Sequence, residues 1–79
     1  MHVKIYAPTR VYFDGAAASL SAVNATGPFD ILPGHKNFMT LLTPCDVNVR
    51  IPERPDFSLK IDRGVMHVKA DRATVFLDV

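Results

Sequence analysis

The feature that most constrains this chain is a two-residue alternation of apolar and polar side chains that recurs along its length. The clearest apolar members are Val3 and Ile5; Val11 and Phe13; Val47, Val49 and Ile51; and Phe57, Leu59 and Ile61. Because successive side chains of a β-strand point to opposite faces, each of these segments is predicted to be a strand with one buried face and one wet face. No window shows a sustained helical period, so the sequence predicts an all-β fold with essentially no helix.

Turn and bulge signals divide the chain at short intervals. They are Pro8-Thr9, Asp14-Gly15, Gly27-Pro28, Pro33-Gly34, Thr43-Pro44, residues 52–55, Arg63-Gly64 and Ala70-Asp71. Seven or more short strands result, which is typical of a small flattened β-sandwich or barrel of antiparallel strands. The last part of the chain predicts a hairpin that pairs residues 65–68 with residues 73–77 around a turn at 69–72.

Length and charge limit the kind of function. We expect residues 1–79 to form a single domain, because 79 residues leave no room for a second core. Nine basic and eight acidic residues, scattered singly, give no electrostatic case for nucleic acid. The only cysteine, Cys45, excludes an intramolecular disulfide and fits a reducing compartment. Apolar runs are too short to cross a bilayer, so we expect a soluble protein of cytoplasmic character with no direct membrane insertion.

The sequence offers no convincing catalytic or metal centre. His2, His35, His67 and Cys45 are not at metal-binding spacings, and the histidines are expected at surface or turn positions. The serines lack the glycines of a nucleophile elbow, and most aspartates stand at turn positions, where Asp is favoured for local hydrogen bonding. We therefore expect a non-enzyme that holds no metal or cofactor and works by binding a partner.

One stretch, residues 27–35, is unlike an ordinary strand or turn because two Pro/Gly pairs bracket a short apolar segment. On one interpretation it is a connecting strand with Phe29 and Leu32 in the core. On the other it is a rim loop that presents Phe29 or His35 to a partner. Local physics favours the connecting strand.

Several segments carry a resemblance to a known family. Residues 27–35 read GPFDILPGH, 5–15 read IYAPTRVYFDG, 38–44 read FMTLLTP, 47–51 read VNVRI, 63–68 read RGVMHV and 73–78 read ATVFLD. In the order in which they follow one another along nearly the whole chain, these segments resemble the epsilon subunit of rotary F-type ATP synthases, whose motifs include GE(L/F)G(I/V)(L/Y)PGH. The resemblance implies the flattened β-sandwich of the epsilon N-terminal domain, the fold class that the alternation also predicts.

The resemblance also implies a function. It is that of a non-catalytic central-stalk subunit, which binds the gamma subunit and the membrane rotor ring and helps to couple proton or sodium translocation to ATP synthesis. The chemistry belongs to other subunits. The expected location is the cytoplasmic face of the bacterial plasma membrane, where the protein would be peripheral through its complex.

By resemblance, two sets of residues are partner-binding. The gamma-facing set is His35, Lys36, Phe38 and Met39. The rotor-ring-facing set is Pro28, Phe29 and Asp30. Pro28 stands where the family has an acid, and Asp30 replaces a small glycine and could supply a displaced carboxylate.

Alternatives remain for several of these residues. His35 could be a turn histidine with a local hydrogen bond. For Phe38 and Met39, the physical expectation is the core, because exposed large apolar groups are the exception on monomers.

The resemblance ends before the helical hairpin that usually follows this domain, regulates hydrolysis and in some members binds ATP. The sequence stops at Val79, so we expect no nucleotide binding and no inhibition of hydrolysis by this polypeptide. An alternative function is a stand-alone protein-interaction module of the same fold, detached from the synthase. A small-ligand or sugar-binding sandwich ranks last, because the chain has no Trp and no convergent amides.

Overall fold

A computed structural model describes residues 1–77 and contains nine β-strands and no helix in that range. The strands are β1 (His2–Ala7), β2 (Arg10–Ala16), β3 (Ser19–Asn24), β4 (Gly27–Ile31), β5 (Phe38–Leu42), β6 (Cys45–Arg50), β7 (Phe57–Ile61), β8 (Gly64–Lys69) and β9 (Arg72–Leu77). The predicted all-β architecture is confirmed. Asp78, the last member of the 73–78 motif, lies outside the described residues.

The strands form one curled sheet with two halves. The first half has the order β2-β1-β9-β8-β5, and the second half consists of β4, β3, β6 and β7. A single residue pair, Asn24 with Leu42, links β3 of the second half to β5 of the first. Strand β1 pairs with β9 in parallel, and the other strand pairs within residues 1–77 are antiparallel.

A bend between β5 and β6 carries the chain from one half to the other. The Thr43 amide donates to the Val23 carbonyl at 3.0 Å, and the following Pro44 has no amide hydrogen to continue the ladder. After the bend, β6 pairs with β3 and β7. Strands that switch sheets at such bends make the corners of β-sandwiches.

The core lies between the two halves and takes one set of alternate residues from most strands. Its fully or nearly fully buried side chains form a single cluster: Val3, Ile5, Ala7, Ala17, Leu20, Ala22, Ile31, Leu42, Val47, Val49, Ile61, Met66, Val68, Ala73, Val75 and Leu77. The two outermost strands of the sheet path, β2 and β7, also approach each other. The Phe13 and Phe57 rings lie 5.3 Å apart there and shield one side of the cluster.

The predicted hairpin at the end of the chain is confirmed. Strands β8 and β9 pair from Gly64–Leu77 to Lys69–Arg72. Ala70 and Asp71 connect them with φ angles of +52° and +61°. Two successive residues with positive φ match the right-handed twist of the flanking strands, which is why two-residue hairpin turns favour this geometry.

Strand β2 departs from the sequence expectations in two ways. The predicted turn or bulge at Asp14-Gly15 is wrong, because both residues continue the regular ladder against Lys4 and Val3 of β1. The placement of Val11 on the buried face is also wrong, since its side chain is 55% exposed. A bulge explains the exposure: Ile5 pairs with Phe13 but Tyr6 pairs with Val11, so the intervening residue reverses the alternation.

The predicted turn at Gly27-Pro28 is displaced by two residues. The turn occupies Ala25 and Thr26, where the Asn24 side-chain oxygen accepts from the Thr26 amide at 3.0 Å. Such Asx geometry replaces a backbone turn bond. Gly27 then enters β4 with φ +119°, a conformation that L side chains rarely adopt.

Candidate partner-binding surface

The outer face of the first half carries a continuous row of apolar side chains across five strands. Pairing places Leu41 beside Val65, Val65 beside Phe76, Phe76 beside Tyr6, and Tyr6 beside Val11. We call these five residues the apolar row. Leu41 is 71% exposed and Phe76 is 37% exposed, so the row faces solvent. Contiguous exposed apolar side chains on a soluble domain mark interaction sites more often than single ones do.

The apolar row is locally ordered and extends at both ends. The Tyr6 and Phe76 rings meet edge to face with centroids 5.2 Å apart, and the Lys4 ammonium lies 4.9 Å from the Tyr6 ring centroid. Leu41, Val65 and Phe76 also border a groove of ≈ 330 Å³ beside Arg63 and Gly64. Met39, two residues before Leu41 on the same face, is 66% exposed.

The predicted gamma-facing residues lie at the margin of this face but do not all point to it. Met39 points outward beside His67 of β8, so the expectation that it lies in the core is wrong. Phe38, its neighbour on β5, is half-buried and packs against the core, as expected. The two residues take opposite faces because they are adjacent in a strand.

His35 and Lys36 lie in the exposed loop between β4 and β5. The His35 Nδ1 lies 2.8 Å from the Lys36 carbonyl, and the His35 amide donates to the Leu32 carbonyl at 3.1 Å. The alternative of a locally hydrogen-bonded turn histidine therefore describes its contacts. Its ring still lies 5.0 Å from that of Phe38, so the loop is held against the first residue of β5.

The predicted rotor-ring-facing residues lie on β4, which among the strands of residues 1–77 pairs only with β3. Pro28 and Asp30 are exposed, and the Asp30 carboxylate accepts from the Ser21 hydroxyl at 2.6 Å. Phe29 points the other way, packs on the core and contacts Phe38 edge to face at 6.1 Å. Leu32, placed in the core on one interpretation, is 58% exposed, and Ile31 is buried instead. A proline and a charge on a free edge strand discourage uncontrolled strand pairing.

The outer face of the second half is polar. A cleft of ≈ 370 Å³ on it is lined by Ala18, Ser19, Ser21, Asp30, Leu32, Asn48, Arg50 and Asp56. The Asn48 amide donates to the Asp56 carboxylate at 3.2 Å. Within residues 1–77 no three His, Cys, Asp or Glu side chains converge as a metal site would require. The same range contains no helix long and apolar enough to cross a membrane.

Sequence reasoning missed most of the apolar row, although one signal was present. Strand β5 contains two adjacent apolar pairs, Phe38-Met39 and Leu41-Leu42. In a strand, one member of each pair must point away from the core. The pairs therefore indicate an apolar outer face on β5, whereas the extension to Tyr6, Phe76 and Val11 depends on the register of distant strands.

Comparison with known proteins finds ATP synthase epsilon chains among the relatives of this chain. The family model described as ATP synthase, Delta/Epsilon chain, beta-sandwich domain, matches residues 1–79. ATP synthase epsilon chain 2 of Paraburkholderia xenovorans is 40% identical over 53 residues, which are 67% of this chain and 38% of that protein. The ATP synthase epsilon chain of Nitrosococcus oceani is 31% identical over 78 residues, 99% of this chain and 56% of that protein.

Solved structures share the fold. A chain of the mitochondrial ATP synthase of Euglena gracilis aligns with a TM-score of 0.87 at 16% identity, covering 95% of this chain and 48% of that chain. A chain of the central stalk and c-ring of the Tetrahymena thermophila enzyme aligns with a TM-score of 0.82 at 16% identity, covering 99% and 63%. The present chain spans roughly half the length of the curated relatives it matches. With its whole described length matched by one family model, the chain belongs to the ATP synthase delta/epsilon chain β-sandwich family.

Proposed function

We propose that this domain is a non-catalytic central-stalk component of an F-type ATP synthase, which binds the gamma subunit and the membrane rotor ring. In that role it helps to couple proton or sodium translocation to ATP synthesis. Its location would be the cytoplasmic face of the bacterial plasma membrane, peripheral through the complex. Family membership supports the assignment to the synthase, and the exposed apolar row is the observation that supports a protein partner.

The gamma-binding surface is proposed to be the outer face of the first half, with Met39 and His35 at its margin. Met39 projects beside His67, and the apolar row begins at Leu41 on the same strand. Met39 and Leu41 are the most exposed large apolar side chains of this face, at 66% and 71%, and Val11 and Phe76 are exposed to 55% and 37%. Covering them with a complementary apolar surface would release ordered water, at about 25 cal/mol per Å² removed from water before the costs of association.

The rotor-ring contact is proposed at the exposed edge formed by Pro28 and Asp30. The free edge of β4 presents both side chains to solvent, whereas Phe29 points inward. Phe29 therefore supports this edge through its contact with Phe38, instead of meeting the ring directly. The contact between Phe29 and Phe38 therefore connects β4, the proposed rotor-ring edge, to β5, the first strand of the proposed gamma-binding face.

Calorimetric titration of this chain with the purified gamma subunit of its host tests the gamma contact. We expect a Kd of about 1 μM or tighter, weakened several-fold by Met39→Ala or His35→Ala. Lys60→Ala, an exposed change on β7 of the second half, serves as the matched control and should leave the Kd unchanged. Absence of binding at high protein concentration would contradict the proposal and favour a module that is detached from the synthase.

Binding to the purified rotor ring tests the second contact separately. Asp30→Ala should weaken it, because the change removes the carboxylate at the exposed edge. Unchanged binding would remove Asp30 from the proposed site while leaving the gamma contact standing. Absence of nucleotide binding also remains a prediction, and calorimetry with ATP checks it directly.

A further inference from the structure

Beyond the apolar row, the outer face of the first half has a compact basic depression. His67, Lys69 and Arg72 line it with Ala70 and Thr74, and its volume is ≈ 310 Å³. We call this the basic depression. Lys69 and Arg72 are directly paired across the β8–β9 hairpin, and both are exposed. Like charges directly opposite each other on one face of a strand pair are destabilising.

No carboxylate of the described residues neutralises this pair. Within residues 1–77, neither Lys69 nor Arg72 takes part in an ion pair. The acid nearest in sequence, Asp71, turns its carboxylate to the Gly34 amide at 3.1 Å and the N-terminal amine at 3.7 Å. Asp14, on the outer face of β2, is hydrogen-bonded to the His2 ring. The carboxylates of Asp71 and Asp14 are therefore engaged with other groups.

The basic depression and the apolar row share a face and the same strands. Arg72 and Phe76 both project outward from β9, four residues apart, and Lys69 and Val65 do the same on β8. At the usual rise along a strand, the Lys69–Arg72 pair lies about 13 Å from the Val65–Phe76 pair. One partner surface can therefore cover both.

We propose that the basic depression receives an Asp or Glu side chain of the protein that covers the apolar row. This inference rests on the proposed function for the existence of that partner, and it adds the chemistry by which the partner is recognised. A carboxylate would relieve the repulsion between Lys69 and Arg72, and the planar guanidinium of Arg72 can bind it through two hydrogen bonds. Covering the adjacent apolar row would exclude water and strengthen the pairing.

This arrangement defines the partner surface. It needs an apolar patch with a carboxylate about 13 Å away, measured along the strands of this domain. The apolar patch would supply most of the binding energy, because exposed charge pairs contribute little. The carboxylate would fix the orientation, since complementary charges give register and association rate more than affinity.

The test is a charge reversal measured against the host gamma subunit by calorimetry. The double variant Lys69→Glu with Arg72→Glu should weaken binding about tenfold at about 50 mM salt. Its Kd should lie closer to that of the unmodified domain at about 500 mM salt, because salt screens the charges. Arg54→Glu with Lys60→Glu is the matched control, since it makes the same change in net charge outside this face. The control should change the Kd less than about twofold.

A neutral double variant keeps the test decisive if the reversal perturbs folding. Lys69→Gln with Arg72→Gln should give an intermediate loss of affinity and retain the melting temperature. A gamma variant with the matching acid changed to Lys should restore binding to the charge-reversed domain. That rescue identifies the acid and separates direct pairing from a general effect of charge.

Three other results would overturn the inference, and they differ in whether the proposed function fails as well. If charge reversal has no effect while Leu41→Ser weakens binding, the carboxylate contact is wrong and the proposed function stands. If the unmodified domain does not bind gamma, the proposed function fails and this inference fails with it. If reversal leaves gamma binding intact but abolishes binding to phosphatidylglycerol vesicles or to inorganic phosphate, the depression is an anion or lipid site instead.

Discussion

The two halves of this domain have similar inward-pointing side chains but different outward-pointing ones. In both halves, alternate residues point into the shared core, for example Val3 and Ile5 on β1 and Val47 and Val49 on β6. The outward positions diverge. The first half exposes the apolar row, whereas the second half exposes serine, asparagine, aspartate and lysine.

This difference separates what the fold requires from what the function requires. A half-exposed antiparallel sheet needs one apolar face, and the second half shows that a polar outer face is compatible with this core. The apolar outer positions of the first half are thus not needed for folding. They are costly to leave in water, which argues that a partner covers them.

The largest effect is expected from two matched leucines, one on each outer face. Leu41→Ser on the first half should weaken binding to gamma by about 30-fold. This corresponds to about 2 kcal/mol of binding free energy, the usual loss when one buried interface residue is truncated. Leu32→Ser, immediately after β4, removes a leucine of similar exposure, 58% against 71%. Titration calorimetry compares the two variants, and equal losses would break the distinction between the faces.

A smaller effect is expected from the strand beneath the apolar row. A Cβ added to Gly64 would lie 3.0 Å from the Phe76 carbonyl oxygen and 3.2 Å from a Leu77 methyl carbon. Because the nearer atom belongs to backbone, Gly64→Ala should lower the free energy of unfolding by about 1–2 kcal/mol. Urea unfolding measures this value.

Gly15→Ala on β2 is the matched control for this glycine. Its added Cβ would meet only the Phe13 ring, at 3.6 Å, an ordinary contact distance. The free energy of unfolding should therefore change by less than about 0.5 kcal/mol. If Gly64→Ala is as well tolerated as Gly15→Ala, the packing beneath the apolar row is looser than described.

A still smaller loss of stability is expected where the loop that contains His35 contacts the β8–β9 turn. Asp71→Ala removes the acceptor of the Gly34 amide and places Ala at φ +61°. We expect a loss of about 1 kcal/mol in the free energy of unfolding, limited by the exposure of the carboxylate. Asp71→Asn keeps an acceptor and tolerates this backbone conformation, so its loss should be about half as large or less. Equal losses would show that the negative charge, through the N-terminal amine, matters more than the hydrogen bond.

The smallest effect is expected on the second outer face. Ser21→Ala removes the hydroxyl that donates to Asp30 at 2.6 Å, and the group is near solvent, so the free energy of unfolding should fall by about 0.5 kcal/mol. Binding to gamma should not change. Ser58→Ala, on exposed β7 of the same half, is the control for removing a strand hydroxyl. Loss of gamma binding in Ser21→Ala would instead place gamma on the outer face of the second half.

Local patterns predicted the elements whose structure is determined locally. The β8–β9 hairpin follows from two alternating segments and a short turn between them, and the core positions on β1 and β6 follow from alternation alone. Val11 could not be placed in this way, because its exposure depends on a bulge opposite β1. The Asp14-Gly15 turn failed for a similar reason, since pairing with β1 along the whole of β2 outweighs a local preference for a turn.

The candidate surface was only partly predictable. Adjacent apolar residues on β5 indicate an apolar outer face, and the family resemblance drew attention to Met39 and His35. The full apolar row joins side chains from β5, β8, β9, β1 and β2, which come together only through strand register. The basic depression has the same origin, because Lys69 and Arg72 become neighbours across the hairpin.

We assign gamma binding to the outer face of the first half and not to that of the second. Hydroxyl-radical footprinting of this chain with and without the host gamma subunit distinguishes the two faces, because the oxidation of exposed side chains is read residue by residue. We expect Met39, Leu41 and Phe76 to be protected from oxidation on binding, with Leu32 oxidised at the same rate as in the unbound domain. Protection of Leu32, with Met39, Leu41 and Phe76 unchanged, would contradict this assignment.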